Sequence, residues 1–254
     1  MSKTLKTLVA AAALAAATVA SATPIIGTLN LGFGGVIIRT DATGKGNIDW
    51  APPVNNPFTT TATYGQFFTN DLFNTGSFQG GVFAGNTGPH YLHDLSENAA
   101  DTGNYFPVGT SATPLKQMVD LTALKPTWRF DAFELVQGFQ IAPGVFLPYN
   151  LQQQGQNVFA SITINGLACD DLNSSGSCDA GDDITKFTLA LSSQYNNTTV
   201  GALLAALNGP SKSLQANQWS GTMTAVSLPE PASLALVGLA IAGLGVASRR
   251  RAAK

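Results

Sequence analysis

Charged residues make up only 11% of this 254-residue chain, and that shortage bars it from clothing many exposed helices. A surface helix draws on Lys, Glu, Arg and Gln for its solvent face, because straight-chain residues lose little rotamer freedom there. Gly, Thr, Ser and Asn stand in their place here. Thr and the β-branched apolar residues suit a pleated, half-buried surface. The chain is therefore expected to be mainly β, with a surface of hydroxyls and amides.

Period-two alternation places the strands. Leu29, Leu31 and Phe33 share a face, and Gly34-Gly35 interrupts before Val36-Ile37-Ile38, so two strands separated by a bulge or turn are expected. Residues 41–63 carry Pro52, Pro53 and Pro57 without any period and read as a long loop or edge segment. Between Tyr64 and Pro114, short strands and loops are expected, anchored by Phe67, Phe68, Phe73, Phe78 and Phe83. Trp128, Phe130 and Ala132 share one face while Phe133 and Leu135 take the other, which calls for a β-bulge near Ala132.

Val158, Ala160, Ile162 and Ile164 alternate with polar residues, as do Phe187, Leu189 and Leu191, and together they predict a hairpin. Val200, Leu203, Leu204 and Leu207 have the spacing of one short helix, begun at Thr198 or Thr199 and stopped by Asn208-Gly209-Pro210. Trp219, Met223 and Ala225 mark a last strand. Many short strands, glycine turns and one brief helix point to a two-layer β-sandwich, with a barrel-like or jelly-roll closure as the alternative. No internal repeat is visible, so a β-helix lacks its signature.

Both ends of the chain are apolar. Lys3 and Lys6 precede an Ala-rich run from Leu8 to Val19, and Ala20-Ser21-Ala22 offers a small-x-small cleavage site before Thr23. Residues 1–22 thus read as a secretory signal peptide, a helix removed by signal peptidase. At the other end, the charge-free stretch from Ala232 to Ala247 would span roughly 24 Å as a helix, against a hydrocarbon core of about 30 Å. Arg249, Arg250 and Arg251 can snorkel to cover the shortfall. No polar face interrupts the stretch, so a transmembrane helix is expected, oriented by its arginines to leave everything before Pro229 on the far side of the membrane.

Pro229-Glu230-Pro231, an apolar run and the cluster Arg249 to Arg251, in that order, resemble the PEP-CTERM sorting signal of Gram-negative bacteria that make exopolysaccharide. The same tail also circulates under the label "ice-binding protein C-terminal domain". The resemblance covers about a tenth of the chain and speaks to sorting alone. It implies a membrane-embedded exosortase that recognises the Pro-Glu-Pro and cuts the tail, a permanent single-span anchor being the alternative. The expected organisation is a signal peptide at 1–22, an exported β-rich domain at 23–228 and a sorting and anchor segment at 229–254.

Without its two ends the chain keeps seven of its 13 Lys and Arg residues and 14 of its 15 Asp and Glu residues, a net charge of −7. An acidic domain with no basic cluster argues against a nucleic-acid partner. Cys169 and Cys178 have eight residues between them in a chain bound for an oxidising compartment, so a disulfide is expected.

The stretch around these cysteines has metal-like spacing. With Asp171 as position one, Asn173 falls at three, Ser175 at five, Gly176 at the turn, the Ser177 carbonyl at seven, Asp179 at nine and Asp182 at twelve, as in an EF-hand calcium loop. The match is partial: position twelve is Asp where a longer Glu reaches bidentately, Cys178 stands at eight, and the flanks read as strands. A Ca²⁺ site and a bare acidic hairpin loop both fit. His90 and His93, the two histidines of the chain, precede Asp94 and read as surface loop residues.

No Gly-x-Ser-x-Gly elbow, Walker loop or dinucleotide fingerprint occurs, and apart from Ca²⁺ no cofactor is indicated. The sequence thus describes a non-enzymatic protein exported across the inner membrane, anchored as a precursor, then placed on the outer surface or in the extracellular matrix. Exopolysaccharide is the partner that the resemblance implies. A carbohydrate- or ice-binding module and a secreted glycoside hydrolase are the alternatives. A flat face of regularly spaced Thr would mark ice binding, and two carboxylates facing across a cleft would mark hydrolysis.

Overall fold

The computed structural model describes residues 23–32, 35–40, 45–50, 64–96, 106–110, 117–179, 182–216 and 218–227. The expected signal peptide with Ala20 and Ala22 lies outside the described residues, as does the sorting segment with Pro229, Glu230, Pro231, Arg249, Arg250 and Arg251; Thr23 is the first residue described. Among the described residues no helix is long and apolar enough to cross a membrane.

The described chain is mainly β, with one α-helix. Strands β1 (Gly27–Gly32), β2 (Val36–Thr40), β3 (Gly46–Trp50) and β4 (Tyr64–Asn70) lead into three 3₁₀ turns between Asp71 and Phe83. Next come β5 (Asn86–His93), β6 (Leu95–Ser96), β7 (Val119–Asp120), β8 (Trp128–Leu135), the small hairpin β9 (Gln140–Ala142) and β10 (Val145–Phe146), and β11 (Asn150–Gln154). The chain continues through β12 (Asn157–Asp170), β13 (Thr185–Tyr195), helix α1 (Val200–Asn208), β14 (Ser213–Ala216) and β15 (Trp219–Ser227).

The main sheet runs β11-β12-β13-β15-β1-β4-β5-β7, and β8 also pairs with β12. One edge of the long strand β12 is divided end to end, with β11 along Asn157–Ser161 and β8 along Ile164–Asp170. Met118, just before β7, all but joins the two ends: its carbonyl accepts the His93 N–H at 3.1 Å, and its own N–H donates to Phe130 of β8 at 2.8 Å. The result is a nearly closed sheet, closer to the barrel-like alternative than to two facing layers. Alternation along a strand tells which side faces the core, but not whether the ends of a sheet meet.

A second sheet, β14-β2-β3-β6, shares the same core. Trp50 at the end of β3 packs on Trp219 of β15, with ring centroids 5.0 Å apart. Gly65 of β4 makes the approach possible, since a Cβ there would come within 2.3 Å of the Trp50 Cβ. Deeper in, Phe78, Phe83, Trp128, Phe130 and Phe187 form a chain of aromatic contacts, Phe78 meeting Trp128 edge-on at 5.6 Å.

Local expectations fared unevenly. The hairpin is β12 and β13, antiparallel from Val158↔Tyr195 to Ala168↔Thr185, with the expected residues inward. The bulge is present: Ala132 pairs with Gly166 and Glu134 with Asn165, leaving Phe133 without an opposite number. Helix α1 starts after Thr199, whose hydroxyl accepts the Ala202 N–H at 3.2 Å. Residues 41–63 are not loop throughout, because β3 lies within them and is buried along its whole length. Its Asn47 and Asp49 disguise it, Asp49 being buried against Arg39 at 2.8 Å. Among the phenylalanines expected as anchors, Phe67, Phe78 and Phe83 are buried but Phe73 is 69% exposed.

Candidate functional site

The acidic loop connects β12 to β13 and is held at its base by the Cys169–Cys178 disulfide, with Cα atoms 5.6 Å apart. Two side chains from β8 secure it. Arg129 donates from Nε to Asp171 Oδ2 at 3.1 Å, while buried Asp131 accepts the Gln117 N–H through Oδ1 at 3.0 Å and the Cys178 N–H through Oδ2 at 3.2 Å. Neither residue was singled out by sequence, where both sit on what looks like the polar face of an alternating strand. The register β8 to β12, Cys169↔Arg129, is what brings them under the loop.

Asp171 is the hub. It is fully buried, and besides Arg129 it accepts the Ser175 N–H through Oδ1 and the Gly176 N–H through Oδ2, each at 2.8 Å. Burial works to raise its pKa, but the two amides and the guanidinium outweigh it and hold the carboxyl below the usual range. Gly176 has φ of +80°, the conformation that the expected turn glycine supplies.

The other expected ligands lie around this hub. Asn173 accepts the Ser175 N–H at 2.8 Å and donates to Asp179 at 3.2 Å, and the Ser177 carbonyl accepts the Ser175 hydroxyl at 2.8 Å. Asp182 accepts the Asp179 N–H at 3.0 Å. Burial raises the pKa of Asp182, and the charges of Asp179, Asp171 and Asp170 add to that rise. The positions assigned by spacing therefore do fold into one connected loop. Among the described residues, however, no three His, Cys, Asp or Glu side chains are grouped to hold a metal ion.

His90, His93 and Asp94 do not belong to a surface loop. The histidines lie on β5, His90 is 2% exposed beside Phe67, and its Nε2 is 3.2 Å from the Thr87 hydroxyl. Asp94 is equally buried and accepts the Trp50 N–H at 2.8 Å. Burial, with help from the Asp49 charge, pushes its pKa up to about 8 against the opposing pull of that hydrogen bond and of Arg39. The pairing of β5 with β4 holds both histidines in the sheet, although Gly88 and Pro89 stand directly before His90.

The described residues thus form a mainly β domain with a disulfide-tied acidic loop, and its last described strand ends at Ser227. Residues 227–251, beginning at that same serine, match the family model of the PEP-CTERM protein-sorting motif. The chain carries this sorting signal, which implies export and sorting to the cell surface with processing by an exosortase, a membrane enzyme. No curated protein and no solved structure matches the chain.

Proposed function

We propose that this chain is a non-enzymatic protein of the cell surface or extracellular matrix. Its signal peptide is cut before Thr23, its residues 229–254 hold the precursor at the membrane, and an exosortase then releases or transfers it into surrounding exopolysaccharide. The observation that carries this is the sorting motif following directly on the closing strand of a β domain. The weakly charged, hydroxyl-rich surface is compatible with a hydrated polysaccharide setting. Replacing Pro229, Glu230 and Pro231 by Ala is expected to leave an uncut, membrane-held precursor. Equal release of wild type and variant refutes exosortase processing.

In the same proposal the acidic loop takes Ca²⁺ weakly. Burial is the main cause of the raised Asp182 pKa, and the charges of Asp179, Asp171 and Asp170 add a repulsion that a cation relieves. Arg129 already gives Asp171 a positive partner, so affinity falls toward the weak extracellular range of about 0.1 to 1 mM. On that basis ~10 mM Ca²⁺ stabilises the domain by roughly 1.5 to 3 kcal/mol. A melting temperature unmoved by Ca²⁺, or moved equally in Asp171→Ala, sinks the idea.

Ice binding has one observation in its favour, the row Thr188, Thr224 and Thr28 across β13, β15 and β1. Successive strands turn by about 20 to 25°, so the row is rotated over its length and gives no flat face, which favours a flexible polymer over a crystal surface.

A further inference from the structure

The end of β13, Leu203 of helix α1, β14 and Gln218 just before β15 line an open hollow of about 810 Å³. A second hollow of about 240 Å³ opens beside it on the outer face of the main sheet. Gln194 and Gln218 line both, so the two make one groove. The walls of the larger part include buried Tyr195, Leu203, Leu214 and Ala216, with Asn196, Thr198 and Gln215 offering amides and a hydroxyl. The smaller part pairs Phe159 and Trp219 with Ser192 and Ser220. Among the described residues, none that lines either part is charged, in a domain that is otherwise acidic.

We propose that this groove binds a neutral glycan chain; the proposal deepens the matrix reading above and rests on it. Sugar hydroxyls both donate and accept, and so do the amides of Gln194, Gln215 and Gln218 and the hydroxyls of Ser192 and Ser220. The apolar faces of sugar rings find Phe159 and the buried wall residues. A phosphorylated or uronate polymer finds no cation to meet it and a net negative domain around it. The larger part alone, at about 810 Å³, lies inside the range of roughly 300 to 1,000 Å³ in which small-molecule sites fall. The track also continues beyond the groove: Ser161, Ser192 and Ser220 stand in register on β12, β13 and β15, and Thr222 follows on the same face. A polymer leaving the groove thus stays on matching chemistry.

The test uses the protein released from cells, titrated with dextran, xylan and galactomannan as neutral polymers and alginate as an acidic one, followed by tryptophan emission and calorimetry. Binding to at least one neutral polymer is expected, with alginate at least about tenfold weaker and the double variant Gln194→Ala/Gln218→Ala losing about tenfold or more. Gln215→Ala, at an exposed rim position, replaces the double variant if the latter does not fold. Absence of binding to every neutral polymer, equal binding of alginate, or affinity unchanged in the folded variants overturns the proposal. Localisation is scored separately by fractionation. A protein that reaches the matrix yet binds no neutral polymer overturns the groove alone, whereas one that binds but never leaves the cell overturns the matrix reading.

Discussion

Asp94→Asn isolates a carboxyl whose protonation the fold has moved into the physiological range. Asp94 is 2% exposed, and burial raises its pKa to about 8. In the unfolded chain an aspartate titrates near 3.9. Between those values the folded state holds a proton that the unfolded state has lost, so stability is greatest below about pH 4 and falls as pH rises toward 8. The slope for one such group is about 1.4 kcal/mol per pH unit, or roughly 2.7 kcal/mol between pH 5 and pH 7. For a domain of this size that corresponds to roughly 5 to 11 °C in melting temperature.

The asparagine keeps an acceptor for the Trp50 N–H and removes the titration. Chemical denaturation followed by tryptophan emission at several pH values gives the comparison, and titrating groups that are not coupled to Asp94, such as His90, cancel in the difference between the two proteins. The variant is expected to gain on wild type steadily as pH rises through this window. A constant difference across it means that Asp94 is ionised in the folded protein, and the burial argument fails.

The disulfide closes a short loop, so Cys169→Ala/Cys178→Ala is expected to lower stability by about 3 kcal/mol while leaving the β circular-dichroism signal intact. A denaturation midpoint indifferent to the substitution or to reductant speaks against that constraint. Gly166→Ala forces a Cβ to within 2.2 Å of the Phe187 ring and 2.6 Å of the Asp131 carbonyl, so a loss of about 1 to 3 kcal/mol or more is expected. A melting curve that stays put shows that the bulge beside Phe133 has room the described packing denies.

What sequence could read was set by how regular each strand's surroundings are. β12, β13 and β15 pair along most of their length and keep one face inward, so alternation located them and even placed the bulge at Ala132 and Phe133. β3 is buried on both faces and spends two of its five residues on polar groups, Asn47 and Asp49, which have meaning only once Arg39 is opposite. The acidic loop was visible by spacing, because its hydrogen bonds join residues a few positions apart. Its supports Arg129 and Asp131 were not, since register between distant strands decides them. The groove, too, depends on Gln194 meeting Gln218, residues brought side by side by the register Ser193↔Trp219.

The pairing of β15 with β1 sets an order of events. Gly27 lies against Ala225, about 200 positions further along the chain, and β15 fills a central place in the sheet, between β1 and β13. Until β15 arrives, both neighbours keep an open edge, and long-range pairings of this kind form slowly. A chain threaded through an export channel from its N-terminal side therefore cannot complete its sheet midway and jam. It closes when β15 emerges, and the sorting motif that begins at residue 227 follows directly on that strand.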